Sequence, residues 1–212
     1  ERHPGLIIDD CASGGRVIDL ETLSRSVPLW RSDLQCEPHY VTTGSQCHSF
    51  GLLSWVPLNG TGCTRAGETY EFRSSLSSSL CTTFPLCGEF PEDFPWDWAR
   101  EMLRQAHEAR PYFYGDYYPL TPYSQSEEKW MAWQFHRADL GEGLVMAFRR
   151  TECADARRAF PLEGLDADAT CVVRDLDTGE ERKLSGGELT KDGLIIEIAD
   201  RPGAALLTYR TR

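Results

Sequence analysis

One stretch carries two carboxylic acids, a thiol and a glycine pair: Asp9-Asp10-Cys11-Ala12-Ser13-Gly14-Gly15-Arg16, directly after the apolar run Leu6-Ile7-Ile8. A second apolar run, Val27-Pro28-Leu29-Trp30, leads into Arg31-Ser32-Asp33. A carboxylic acid at the end of a strand can pass a proton to or from a reacting group. Asp9 and Asp10 can accept hydrogen bonds from ligand hydroxyls. Gly14 and Gly15 let backbone come close to a ligand, or simply form a turn. Trp30 and Trp55 can stack on the apolar face of a sugar or fill a core. Cys11 is a nucleophile only with a base beside it, and His39 and His48 are the nearest candidates in sequence. Cys36-x-x-His39 and Cys47-His48 contain metal-ligating types, but not at finger or ribbon spacing, so no metal and no cofactor is expected. Asn59-Gly60-Thr61 is a glycosylation sequon by letters only.

Those groups need elements to hold them. Gly5 to Asp9 reads as a continuous apolar strand buried on both faces. Leu20, Leu23 and Val27 have helical spacing, with Asp19 placed to cap the helix. Leu29-Trp30 is predicted to be a second buried strand. Phe50 to Val56 is predicted to be a third, closed by Pro57 to Gly60. Pro38 can open the helix between them. Tyr70 to Ser77 reads as helix and Ser79 to Phe84 as a fourth strand. In Phe94 to Ala109 one stripe collects Phe94, Trp98, Met102, Leu103 and Ala106, and Pro111 stops that helix. Strand, polar loop, helix, strand is the rhythm of parallel α/β folds, whose chemistry sits at the strand ends. After Tyr123 the rhythm changes. Short strands at Lys129 to His136, Gly143 to Arg149, Thr170 to Asp175, Gly193 to Ile198 and Ala204 to Tyr209 alternate with turn signals. Those signals are 139–143, Asp177-Thr178-Gly179, Ser185-Gly186-Gly187, Asp192-Gly193 and Arg201-Pro202-Gly203. This pattern predicts an antiparallel β-sandwich. The expected organisation is residues 1–123 in the α/β part and 124–212 in the all-β part.

A net charge of −11 in 212 residues argues against a nucleic-acid or anionic-membrane partner, since phosphate binding needs clustered Lys and Arg. No apolar run reaches the ~18 residues of a membrane span. The eight Cys are scattered rather than framed, which favours a reducing, cytoplasmic setting. Glu1 does not read as a natural start, so the chain is expected to be the C-terminal piece of something longer.

Three of these segments, in order, resemble glycoside hydrolase family 36, the bacterial α-galactosidases. Cys11-Ala-Ser-Gly14-Gly15-Arg16 with Asp19 is similar to the family's Cys-x-x-Gly-Gly-x-Arg-x-Asp segment. Leu29-Trp30-Arg31-Ser32-Asp33 is similar to its Ile-Trp-Thr-Ser-Asp. Gly51-Leu-Leu-Ser54-Trp-Val-Pro57-Leu-Asn59 is similar to its Gly-Ala-His-x-Ser-x-x-Pro-Asn strand, with Leu53 where His is frequent. The resemblance implies the C-terminal portion of a (β/α)8 TIM barrel followed by a small antiparallel β-sandwich. It implies a retaining glycosidase acting on an oligosaccharide or glycoside, and a homo-oligomer when intact. By position, Asp33 matches the general acid/base, and Cys11 and Gly14 match residues lining the sugar's O2 side. Asp10 and Trp30 are further candidate substrate contacts. The family's nucleophile lies in a Lys-x-Asp-x-Asn segment that these residues do not contain. Leu34-Gln35-Cys36 departs from the acidic pattern that commonly follows the acid/base. That departure keeps the sugar open among α-linked types and leaves a non-catalytic carbohydrate-binding protein as the rival reading.

Overall fold

The computed structural model describes residues 3–34, 36, 40–63, 65–82 and 90–212, apart from the side chains of Ala12 and Ser13. The chain divides into two compact units, Glu1–Met102 and Leu103–Arg212. The boundary expected at Tyr123 falls inside the second unit, because Asp116–Pro119 pairs with a strand of that unit's sheet.

In the first unit four extended segments lie side by side in chain order. Asp9 bridges Val27 in parallel, with Val27 N–H donating to Ile8 O at 2.9 Å and Asp10 N–H to Val27 O at 3.0 Å. The chain from Pro28 to Arg31 then borders β1 (Gly60–Cys63). Gly60 N–H donates to Pro28 O at 2.8 Å and Arg31 N–H to Gly60 O at 3.0 Å. β1 pairs in parallel with β2 (Ser79–Thr82). The connections are helical: α1 (Ala12–Gly15), α2 (Leu20–Leu23), α3 (Thr42–Leu52) and α4 (Thr69–Ser75). Parallel neighbours need such crossovers. Asp19 caps α2 as expected, its carboxylate accepting Thr22 N–H at 2.9 Å. Phe72 of α4 meets Trp98 edge-on at 5.9 Å, and the Trp98 indole donates to Thr69 Oγ1.

Three expectations for this unit are corrected. Leu6, Ile7 and Ile8 are 65%, 77% and 47% exposed, held by the Asp9–Val27 bridge at one end and a Leu6 N–H to His3 O bond at the other. An apolar run becomes a strand buried on both faces only where layers cover both faces, and no described residue does so here. Leu29 and Trp30 are half-buried and follow that bridge without forming a regular strand. Phe50 to Val56 is not a strand: Phe50 to Leu52 ends α3, and the strand begins at Gly60. Ser45, Gln46 and Ser49 form the buried side of α3, so its apolar residues gave no helical stripe to read. α3 opens at Thr42 with Val41 before it and not at Pro38, which lies outside the described residues, as do residues 83–84 at the end of the predicted fourth strand and Cys87.

α5 (Trp96–Ala109) spans the division between the units. The α-helix ends at Ala109, just before Pro111, as expected. Pro111 sits at the start of a 3-10 turn, Arg110–Tyr114, where a missing N–H costs nothing. The second unit is dominated by one antiparallel sheet. Its strands are β3 (Asp116–Pro119), β4 (Met131–Arg137), β5 (Glu142–Arg149), β7 (Thr170–Asp175), β8 (Glu181–Ser185) and β10 (Gly203–Thr211). They run in the order β3-β4-β5-β10-β7-β8. A separate antiparallel ladder joins β6 (Arg157–Phe160) to β9 (Leu194–Glu197). One core is shared by Ala132, Val145, Val173 and Leu207 of the large sheet with Phe160 and Ile196 of the ladder. The sheet's other face is buried too, with Phe113 meeting Phe135 at 4.9 Å and Trp133 meeting Phe148 at 5.1 Å. Ser185-Gly186-Gly187, expected to be a turn, opens α6 (Gly186–Lys191). Ser185 and Glu188 form a reciprocal capping box, a Ser-x-x-Glu signal present in the sequence.

Candidate active site

The two polar loops expected to carry chemistry meet in the first unit. Gly14 has φ +79°, a left-handed conformation that favours glycine. Its α-carbon faces the carboxyl of Asp33 so closely that a Cβ there would lie 2.9 Å from Oδ2. Gly15, at φ +84°, lies against the Arg31 carbonyl, where a Cβ would collide with the oxygen. Both glycines are thus required by the approach of the 28–33 loop. Asp33 is solvent-exposed, while Ser32 and Arg31 before it are buried.

Trp30 holds Asp33 from the other side. Its indole N–H donates to Asp33 Oδ1 at 3.0 Å. The ring lies on β1, where a Cβ on Gly62 would sit 2.5 Å from it. Trp30, a candidate substrate contact by sequence, thus offers Asp33 its polar edge. Arg31 points away from Asp33 into a buried pocket of neutral acceptors. One terminal nitrogen donates to Asn59 Oδ1 at 2.5 Å, the other to Ser49 Oγ at 2.6 Å and Ser45 O at 3.2 Å. Burial pulls the guanidinium down to about 10, so it still carries its charge near neutral pH.

Cys11 is half-buried and precedes α1. Cys36 N–H donates to Asp33 O at 3.0 Å. Burial pushes the Cys36 thiol up, and the charges of Asp33 and then Cys11 add to that push. So Gly14 and Trp30 converge on Asp33, and Cys11 lies at the head of the turn that carries Gly14. Asp10 stands apart from that cluster. It is 8% exposed, its Oδ2 has no hydrogen-bond partner among the described residues, and it borders a cavity of about 280 Å³ with Glu21, Thr22 and Arg25. Asp9 Oδ1 accepts Leu29 N–H at 3.0 Å, tying the two extended segments together. His39 lies outside the described residues. His48 is depressed by burial and then by the Arg31 charge.

Sequence reasoning missed two supports of the site. Asn59, read as a sequon by letters, is fully buried; it accepts from Arg31 and donates to Val56 O at 2.5 Å. Arg31 ties the Asp33 loop to α3 and to Asn59 at the start of β1. A long-range polar pair of this kind leaves no periodic trace in sequence.

No protein-family profile matches this sequence, and no curated protein matches it. Its fold matches solved structures. The galactosidase domain of the α-galactosidase–sucrose kinase AgaSK superposes with TM-score 0.76 and 19% identity, over 100% of this chain and 30% of that one. GH36 α-galactosidase AgaB from Geobacillus stearothermophilus gives 0.60 and 18%, over 85% and 25% of the two chains. A variant of GH36 α-galactosidase AgaA from the same organism, in complex with raffinose, gives 0.59 and 16%, over 82% and 25%. At these identities the likeness is one of fold, and it agrees with the family resemblance of the three sequence segments. The chain spans less than a third of the length of each of these structures.

Proposed function

We propose that this chain carries the acid/base side of a retaining glycosidase site for terminal α-linked galactose or a related α-sugar. The first unit is then the last part of a (β/α)8 barrel, and the second is a β-sandwich that follows it. Asp33 protonates the departing oxygen and then activates water. Cys11 and Gly14 line the sugar's O2 side, and the Trp30 indole holds the carboxyl in place. The observation that carries this reading is the convergence on Asp33 of Gly14 from one strand end and Trp30 from the next. The solved relatives are α-galactosidases, one of them holding raffinose, which supports an oligosaccharide substrate. A retaining mechanism needs a second carboxylate ~5–5.5 Å away. We place it on a Lys-x-Asp-x-Asn segment outside these residues, so the chain alone should not turn over.

Asp33→Asn in the full-length protein tests this. Hydrolysis of α-galactosides with poor leaving groups should fall about 10²–10⁴-fold, and far less with a dinitrophenyl leaving group that needs no proton. An unchanged rate on poor leaving groups would remove Asp33 from the role. Retained sugar binding without turnover in the unaltered full-length protein would favour the non-catalytic reading, for which the exposure of Asp33 and the Leu34-Gln35-Cys36 departure speak.

A further inference from the structure

The second unit contains a buried polar cluster that the proposed site does not use. His136 on β4 and Tyr209 on β10 occupy one row of the sheet, both paired with Gly143 of the intervening β5. A Cβ on Gly143 would collide with the Tyr209 ring, so the missing side chain is what lets that ring reach across a whole strand. The two rings stack at 6.0 Å and 14°. Tyr209 Oη lies 2.9 Å from His136 Nδ1 and accepts from Gln134 Nε2 at 2.7 Å.

The direction of each bond follows from Gln134. Its amide oxygen accepts Glu163 N–H at 2.9 Å, and its nitrogen donates to Glu163 O at 2.9 Å. The nitrogen is therefore also the donor to Tyr209. The phenol hydrogen is left for His136 Nδ1, which must be bare, with the ring proton on Nε2. A second proton on the ring would aim Nδ1–H at the oxygen that already receives Gln134. The phenol hydrogen would then have no acceptor, in a cluster where Gln134 is 0%, Tyr209 2% and His136 6% exposed. The 161–165 segment depends on this cluster: Gln134 grips Glu163 at both backbone groups, and the Gly164 α-carbon packs on the His136 ring.

We infer that this cluster is an acid-sensitive latch: protonation of His136 frees Tyr209 and Gln134 and releases the 161–165 segment from β4. Burial holds the imidazole below its ordinary range, and Asp116, its cross-strand partner on β3, opposes that in part. The other titratable groups facing the cluster are Tyr118 of β3, whose hydroxyl lies near Gly164, Cys171 of β7 and Tyr112, which both face Tyr209, and Glu142 beside Gly143, which accepts from Tyr112. Glu163 enters only through its backbone. This inference is independent of the glycosidase reading.

Nitrogen NMR of the full chain at neutral pH should show His136 as the Nε2–H tautomer; the Nδ1–H tautomer would overturn the latch. Hydrogen exchange at the Glu163 amide supplies the second measurement. Between about pH 7.5 and about pH 5 its protection, corrected for intrinsic exchange, should fall at least about tenfold. Protection that does not change over that range would also overturn it. His136→Gln should abolish the pH dependence. Should that variant fail to fold, Tyr209→Phe decides the same question: with no oxygen to contest, protection at Glu163 should no longer follow pH, and a retained fall would sink the proposal.

Discussion

The α-carbon of Gly14 is pressed against the carboxyl of Asp33, at a spacing that leaves no room for a methyl group between them. Residues from two different strand ends thereby define one point, and that point is where the proposed proton transfer takes place.

Gly14→Ala tests the contact. The added Cβ meets both a left-handed backbone and Asp33 Oδ2. The backbone alone should cost about 1–2 kcal/mol, and Asp33 must move. We expect a lower urea midpoint and, in the full-length protein, a fall in kcat larger than any change in KM. Unchanged kcat would mean that Asp33 tolerates displacement and does not act from this position.

Trp30→Phe keeps the ring on β1 and removes one hydrogen bond to Asp33. Stability should change by less than about 1.5 kcal/mol, the net worth of a typical hydrogen bond. Turnover should nevertheless fall in the full-length protein, because the carboxyl loses a fixed orientation. Equal losses in stability and rate would make the bond merely structural.

Arg31→Met tests the support beneath the acid. The side chain is 2% exposed and its three hydrogen bonds go to Asn59, Ser49 and Ser45. Removing it leaves the buried Asn59 and Ser49 with unmet groups, at about 1–3 kcal/mol for each such group. It also removes a buried charge whose desolvation was costly. We expect net destabilisation, read as a fall in the denaturant midpoint at constant slope. A more stable variant would show that the desolvation cost of the charge outweighs its bonds.

Acid should weaken the first unit through His48. Its folded pKa is depressed, by burial first and the Arg31 charge second. The unfolded chain therefore takes up the proton more readily. The stability that neutral His48 provides is complete above the ordinary imidazole value of about 6.5 and is lost as pH falls through the depressed folded value. Thermal unfolding at a series of pH values should show this loss, and His48→Gln should shrink it. A slope untouched by the substitution would assign the acid sensitivity elsewhere, with His136 the first alternative.

Local chemistry wrote several features directly into the sequence. The Asp19 cap, the helix of Trp96–Ala109 and five strands of the second unit (β4, β5, β7, β9 and β10) follow from side-chain periodicity and hydrogen-bonding groups a few residues apart. So does the nearness of reactive residues to the ends of the apolar runs. The strands β3, β6 and β8 left no such signal. The rest depended on partners far along the chain. Phe50 to Leu52 reads as strand until α3 turns Ser45, Gln46 and Ser49 inward to meet buried polar groups. Leu6-Ile7-Ile8 reads as buried, yet burial belongs to whatever covers a residue and not to the residue itself. The meeting of Gly14 with Asp33, the Arg31–Asn59 bond and the reach of Tyr209 across Gly143 are distances between remote segments. Sequence could name those residues as reactive or polar, but only tertiary packing could bring them together, because a hydrogen bond depends on separation in space and not on separation along the chain.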